Sequence, residues 1–139
     1  QYTPVDDTLI PTGEIAPVQN THFDFTAPTV IGAHAQARDG IDLNLVLDSD
    51  RDRSEPAATL KGPDGVRLSL WTDQPGVQVF NAPKMEIPVP GLDGRRYGPF
   101  SGLCLEPQKF PDALNQSHFP SVIATPEEPY RQRLAVEIV

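Results

Sequence analysis

Cysteine is nearly absent from this chain, which has one, Cys104, among 139 residues. A single cysteine excludes an internal disulfide. Because it lies between Leu103 and Leu105, we expect a buried and chemically inert thiol. The sequence also lacks the run of about 18 apolar residues that a membrane helix needs, and it does not open with a charged and apolar leader. These absences suit the reducing cytoplasm and are also compatible with the periplasm.

Positive charge is in short supply. The 11 lysines and arginines are outnumbered by 19 aspartates and glutamates, which gives a net charge of −8. The arginines are interspersed with acids along the sequence, so they do not predict a basic patch. Nucleic acid and anionic membranes are therefore poor partners, and a neutral polar substrate fits this charge better.

Aromatic residues are few, at 7%, and no helical periodicity extends beyond a few turns. The chain is instead rich in residues that punctuate structure, with 16 prolines and 10 glycines. This composition favours strands joined by turns and irregular loops. We therefore predict an all-β fold in a single segment, residues 1–139, which is long enough for one domain.

Short strand patterns alternate with turn signals along the chain. The clearest is the apolar-polar alternation at 66–72, which follows a Gly-Pro-Asp-Gly turn and predicts a hairpin with 57–61. Loops are predicted at 48–55 and 83–100, and one or two helical turns at 32–37. The other predicted strands are two short ones within 1–20, then 43–47, 77–80, 103–105 and 133–139.

The stretch from Leu103 to Ser121 places one carboxylate, Glu106, where an apolar strand meets a loop rich in proline. Proline fixes φ and lacks a backbone donor, so we expect the strand to stop at Pro107 and the loop to be stiff. Functional groups often lie on such loops. A carboxylate there can act as a general base, and the alternative is a glutamate that caps the loop.

This stretch, with its Leu-Glu-Pro-Gln-x-Phe-Pro-Asp-Ala sequence, closely resembles the C-terminal signature of the aldose 1-epimerase family. Four earlier segments resemble the family in the same order. They are residues 2–15, residues 23–32 with Phe-Asp-Phe and Ile-Gly, residues 40–47, which resemble a Gly-Tyr-Asp-His-Asn strand, and residues 72–80, which resemble a Thr-Glu-Pro-Gly-Gln strand.

The resemblance implies an antiparallel β-sandwich about twice as long as this chain, of which residues 1–139 are the C-terminal part. The chain opens on Gln1, with a strand-like start, which also suggests a fragment. The implied activity interconverts the α and β anomers of an aldose of the glucose or galactose type, without a cofactor. Glu106 is then the general base, and the family's histidine acid lies upstream of this chain.

Two further residues resemble the sugar ligands of the family. Asp42 matches a substrate-binding aspartate, and Gln78 matches a strand glutamine that reaches the same sugar. From the residues alone, each has an alternative without a sugar. Asp42 could be an aspartate of a turn at the start of the strand, and Gln78 could be an exposed polar residue on a strand. The sequence departs from the family pattern at Ile41 and Leu43, which replace an aromatic residue and a histidine, and at 81–83.

Other candidates for chemistry are weaker. His22, His34 and His118 are isolated from one another and from any Cys or carboxylate at a metal-ligand spacing, so we expect surface or loop histidines and no metal site. Trp71 could stack on a sugar, but its place in an alternating strand favours a core or half-buried role.

Three functions remain open from the sequence. The first is an aldose 1-epimerase, whose N-terminal half, or a second copy of this chain, would be a partner. The second is a sandwich of the same superfamily that binds carbohydrate without chemistry. The third is an epimerase for a phosphorylated hexose, which the scattered arginines support little.

Overall fold

The computed structural model describes residues 1–31 and 40–139. These residues form two three-stranded antiparallel sheets. The first sheet has the order β1-β4-β5 and the second has the order β2-β3-β6. The strands are β1 (Asp42–Val46), β2 (Ala58–Lys61), β3 (Arg67–Thr72), β4 (Gly76–Phe80), β5 (Cys104–Gln108) and β6 (Leu134–Ile138). The prediction of an all-β, antiparallel fold is confirmed for these residues.

One apolar core lies between the two sheets. The first sheet contributes Leu43, Val77 and Val79, which occupy neighbouring positions on one face of β1 and β4. The second sheet contributes Leu70 of β3. Each of these side chains is at most 6% exposed. Burying an aliphatic side chain of this size contributes roughly 1.5–3 kcal/mol, so this cluster is the main apolar contribution to holding the sheets together.

The hairpin predicted before and after the Gly-Pro-Asp-Gly turn is confirmed as β2 and β3. The N–H of Gly62 donates to the carbonyl of Val66 at 2.8 Å, and Gly65 has a φ of +91° that favours glycine. The alternation directs Leu68 and Leu70 towards the core. Val66 lies outside the strand and is 48% exposed.

The first twenty residues were predicted to hold two short strands, and the structure has isolated bridges there instead. Tyr2 pairs with Ala16, and Val5 pairs with Pro11. Prolines in this segment lack the N–H that a continuous ladder would require. Tyr2 also pairs with Leu45, so the start of the chain lies along the outer edge of β1.

The prediction that the strand stops before Pro107 is wrong, because β5 continues to Gln108. The carbonyl of Pro107 accepts a hydrogen bond from Gln132 Nε2 at 2.8 Å, so this carbonyl points away from β4. The N and O of one strand residue point to the same side, so the missing donor of Pro107 also faces outward. Proline is tolerated on an edge strand for this reason.

The prediction of a buried Cys104 is also wrong, because this residue is exposed. Cys104 pairs with Phe80, on the face of the first sheet that is opposite to the core. The alternation of the strand puts Leu105 on the core side instead. A short apolar run was therefore an insufficient guide to which face each side chain occupies.

The long loop predicted at 83–100 is confirmed, and one short 3-10 turn, Leu92–Gly94, lies within it. The helical turns predicted at 32–37 fall outside the described residues. No helix in the described part of the chain has the length and apolar character required to span a bilayer.

Candidate active site

A row of polar residues crosses the first sheet on the face opposite to the core. Asn44 of β1 pairs with Gln78 of β4, and Gln78 pairs with Glu106 of β5. Residues that pair directly across antiparallel strands share a face, with Cβ atoms about 4.5–5.5 Å apart. The strand pairing therefore places Gln78 directly beside Glu106, although 28 positions separate them in the sequence.

The row continues into the segment that lies beside β1. The N–H of Thr3 donates to the carbonyl of Asn44 at 3.1 Å, and Asn44 Nδ2 donates to Thr3 Oγ1 at 3.4 Å. Both side chains are 1% exposed. This end of the row is therefore buried and structural, whereas Glu106 at the other end is exposed.

Asp42 lies diagonally across from Gln78 on the same face. Gln78 Nε2 donates to Asp42 Oδ1 at 2.8 Å, which is a charge-assisted hydrogen bond. Asp42 is exposed and Gln78 is half-buried. The structure thus brings together all three residues that the sequence singled out, in the order Asp42, Gln78, Glu106 across the sheet.

The loop that follows Glu106 is anchored by two aromatic side chains. Phe110 and Phe119 pack edge to face with ring centroids 5.2 Å apart, and they are 4% and 5% exposed. Phe110 also lies beside Gly76, where an added Cβ would approach Phe110 Cδ1 to 3.1 Å and would collide with Asn44. The loop is therefore packed against the sheet close to the row.

Two amide oxygens of the row are buried without a hydrogen-bond partner. Among the described residues these are Asn44 Oδ1 and Gln78 Oε1. A buried acceptor without a donor is costly, so a group of this kind calls for an explanation. A ligand or a neighbouring group that donates a hydrogen bond would supply one for Gln78, which is the more exposed of the two.

The residues at which the sequence departs from the family pattern, Ile41, Leu43 and Asn81, lie outside the polar row. Leu43 alternates with Asp42 and Asn44 along β1, so it belongs to the core, as does Ile41 before it. Asn81 Oδ1 accepts the N–H of Ile41 at 2.8 Å, and Asn81 is 3% exposed. Ile41, Leu43 and Asn81 are therefore buried residues outside the polar row.

The histidines of the described part lie elsewhere. His22 is half-buried and its ring lies against Phe23, with centroids 3.8 Å apart. His118 is exposed, and its Nε2 lies 2.6 Å from the carbonyl oxygen of Gly13. His34 falls outside the described residues. In residues 1–31 and 40–139, no three His, Cys, Asp or Glu side chains are grouped as metal ligands would be.

Trp71 belongs to the second sheet, where it is half-buried and donates from Nε1 to the carbonyl of Ser54 at 2.9 Å. This agrees with the prediction of a half-buried role. Two open grooves, of about 480 and 310 Å³, lie on the described surface. Asp42, Gln78 and Glu106 line neither of them.

Two members of the row were not singled out from the sequence, Thr3 and Asn44. The alternation Leu43-Asn44-Leu45 contains the signal for Asn44, because it places a polar residue between two core positions. No local pattern points to Thr3. Its place in the row depends on the pairing of Tyr2 with Leu45, which is a contact between distant parts of the chain.

Comparison with known proteins agrees with this architecture. The family described as aldose 1-epimerase matches residues 1–137. The chain is similar to galactose mutarotase from Homo sapiens, with 42% identity over 131 residues, which is 93% of this chain and 38% of that protein.

Solved structures give the same result. The GalM/aldose epimerase homologue from C. elegans aligns with a TM-score of 0.77 at 26% identity, over 99% of this chain and 41% of that one. Galactose 1-epimerase from Lactobacillus acidophilus NCFM, at 21% identity, shares the fold with a TM-score of 0.62. The chain spans about two fifths of the length of these relatives. With a family match along nearly its whole length, the chain belongs to the aldose 1-epimerase family.

Proposed function

We propose that the complete protein interconverts the α and β anomers of an aldose, with Glu106 as the general base. The observation that carries this proposal is the placement of Asp42, Gln78 and Glu106 side by side on one face of the first sheet. The family to which the chain belongs, and the name of its human relative, support the choice of reaction and of a galactose-like sugar.

The reaction opens the sugar ring and closes it again. Glu106 takes the proton of the C1 hydroxyl, and the electron pair of that O–H bond forms the C1=O double bond. The C1–O5 bond breaks, and its electron pair stays on the ring oxygen, which takes a proton from an acid. After C1 turns, the same steps run backwards on its other face. A positioned base of this kind typically contributes about 10²–10⁴-fold to its step.

Asp42 and Gln78 hold the sugar in this proposal. A carboxylate accepts hydrogen bonds from hydroxyl groups more strongly than a neutral oxygen does. Asp42 is exposed on the same face as Glu106, so a hydroxyl of the bound sugar can reach it. The half-buried Gln78 lies between the two carboxylates in the strand register and forms the floor between them.

The acid comes from residues beyond this chain in the same proposal. His22 packs on Phe23, and His118 contacts the carbonyl of Gly13, so neither belongs to the polar row. We infer that residues 1–139 are the C-terminal part of a longer sandwich, as their 38% share of the human relative supports. The N-terminal half then supplies the histidine acid and covers the exposed carboxylates of Asp42 and Glu106.

A carbohydrate-binding module without catalysis is the second candidate. Glu106 is exposed, and His22 and His118 contact Phe23, Phe119 and Gly13, outside the polar row, which favours this alternative. Polarimetry decides between the two. The complete protein should accelerate the mutarotation of α-galactose or α-glucose well above the buffer rate. Sugar binding, measured by calorimetry, without any acceleration would establish the module and overturn the epimerase.

A further inference from the structure

Within the described residues, the side-chain amide of Gln78 is hydrogen-bonded at only one of its two ends. Its Nε2 donates to Asp42 Oδ1 at 2.8 Å. Its Oε1 is buried, and no donor among the described residues reaches it. A glutamine amide can accept two hydrogen bonds through this oxygen, so the unused end is a place where a donor is expected.

Asp42 determines which end of the amide is free. An ionised carboxylate only accepts hydrogen bonds, so the NH₂ group of Gln78 must be the end that faces Asp42. The oxygen is then the end turned away from Asp42. Asp42 belongs to β1, on one side of β4, and Glu106 belongs to β5, on the other side, directly opposite Gln78.

We propose that Gln78 is a positioning residue whose Oε1 accepts a hydrogen bond from Glu106 once that carboxylate has taken the sugar proton, and that Asp42 fixes the amide in this orientation. The proposal rests on the proposed function and assigns a new task to this pair. Glu106 changes from an acceptor to a donor when it is protonated, and its direct partner across the strands is Gln78, whose Oε1 has no donor among the described residues.

This arrangement has a consequence for the open-chain sugar. A protonated Glu106 that donates to the aldehyde oxygen would tether C1 and resist its rotation. When the proton of Glu106 is directed at Gln78 instead, the aldehyde is free to turn. The proton stays bonded to Glu106 throughout and returns to the sugar oxygen as the ring closes, so no other proton donor or acceptor is needed for this step.

Asn44 is the other amide of the row whose oxygen has no donor in the described part of the chain, and it cannot take this role. It is 1% exposed and donates to Thr3, on the side of β1 away from β5. Gln78 lies between Asn44 and Glu106. The position beside the base therefore belongs to Gln78 alone among the paired residues of the row.

A double-mutant cycle on the complete protein, with kcat measured at saturating sugar, tests the coupling. Gln78→Met keeps the length of the side chain and removes the acceptor, so kcat should fall roughly tenfold. Asp42→Asn lets the amide of Gln78 adopt either orientation, so kcat should fall about two- to fivefold. The double variant should be no slower than Gln78→Met, because Asp42 acts on kcat through Gln78.

Gln19→Met is the matched control, since Gln19 is an exposed glutamine in a loop, and its kcat should match that of the unmodified protein. If the fold-reductions in kcat of the two single variants multiplied in the double variant, the inference would be overturned. A rise in KM at unchanged kcat for Gln78→Met would also overturn it, because Gln78 would then be a sugar ligand only.

A second measurement on the sugar-free complete protein does not depend on turnover. The side-chain NH₂ signals of Gln78 in a ¹H–¹⁵N spectrum can be assigned by their loss in Gln78→Met. They should shift in Asp42→Asn and stay in place in Gln19→Met. If the two NH₂ signals of Gln78 were unchanged in Asp42→Asn, that result alone would overturn the inference. A shifted pair in a protein that does not catalyse mutarotation would overturn the proposed function, and the inference with it.

Discussion

The two sheets of this chain differ in how their outer edges are treated. In the first sheet, the edge of β1 is covered by the start of the chain, which exchanges hydrogen bonds with Asn44 and Val46. The edge of β5 is blunted by Pro107 and capped by Gln132. In the second sheet, β6 forms an edge to which no other strand pairs within the described residues.

The edge strand of the second sheet is also apolar on the side that faces the core. Val136 pairs with Leu70 and shares its face, yet Leu70 is 2% exposed and Val136 is 51% exposed. Leu134 and Ile138, the neighbours of Val136 on this face, are 54% and 66% exposed. The core therefore ends at β3, and the β6 face is an apolar surface that resembles an interface more than a solvated edge.

This contrast separates the first sheet, whose two edges are covered or blunted within the chain and which carries the candidate site, from the second sheet, whose apolar edge strand β6 is exposed. The largest expected effect follows from it. Residues 1–139 alone should give no measurable acceleration of mutarotation, because the proposed function assigns the acid that protonates the ring oxygen to the N-terminal half. They should also self-associate through β6. Light scattering and polarimetry on the purified segment check both expectations.

A matched pair of variants sharpens that test. Val136→Lys places a charge on the exposed β6 face and should reduce self-association, whereas Thr59→Lys on the exposed side of β2 should not. A segment that is monomeric at high concentration, with substantial activity, would show that it needs no partner. In that case one of its own histidines serves as the acid.

The next effect concerns Glu106, the proposed base. Glu106→Gln in the complete protein keeps the size of the side chain and removes its basicity, so kcat should fall by at least about 10²-fold with little change in substrate binding. Glu137→Gln is the control on the second sheet, since Glu137 is also an exposed strand glutamate. Polarimetry measures both. Activity within about threefold of the unmodified protein would remove Glu106 from its role.

Loss of the proposed sugar ligand Asp42 should have a smaller effect. Asp42→Ala removes a charged acceptor, and a hydrogen bond to a charged group contributes about 1.5–3 kcal/mol. KM should therefore rise roughly 10- to 100-fold, with a smaller fall in kcat through the loss of orientation at Gln78. Initial rates over a range of sugar concentrations separate the two constants. If kcat fell by the same factor as KM rose, or if neither constant changed, Asp42 would not be a sugar-binding residue.

The sequence predicted the strands better than it predicted their faces. The apolar-polar alternation located β3 correctly. It also placed Leu68 and Leu70 on the core face, because side chains two residues apart on a strand point to the same face. The run around Cys104 reads as uniformly apolar, so the position of this thiol depended on its pairing with Phe80. The prediction that β5 ends at Pro107 failed for a related reason. A proline interrupts a strand only when its missing N–H would face a neighbouring strand.

The candidate site was predictable as a set of residues and less so as an arrangement. Motif resemblance indicated Asp42, Gln78 and Glu106 separately. Their order across the sheet requires the register of three strands, which distant contacts determine. The burial of Thr3 and the unpartnered oxygen of Gln78 depend in the same way on pairings that no local pattern contains.

The smallest expected effect tests the support beneath the site. Gly76 begins β4 where Asn44, Leu45 and Phe110 converge, and an added Cβ would meet Leu45 O and Phe110 Cδ1 at 3.1 Å, besides colliding with Asn44 Oδ1. Overpacking of this kind typically costs about 1–3 kcal/mol. Gly76→Ala should therefore lower the free energy of unfolding of the complete protein by that amount, as measured by urea denaturation.

Gly102→Ala supplies the comparison, because a Cβ at Gly102 would meet no atom within 4 Å. Its free energy of unfolding should stay within about 0.5 kcal/mol of the unmodified protein. Because Phe110 anchors the loop that follows Glu106, Gly76→Ala should also lower kcat, and Gly102→Ala should not. If Gly76→Ala and Gly102→Ala had equal stability and equal kcat, the residues around Gly76 would accommodate a Cβ without loss of stability. The position of Glu106 would then not depend on the packing there.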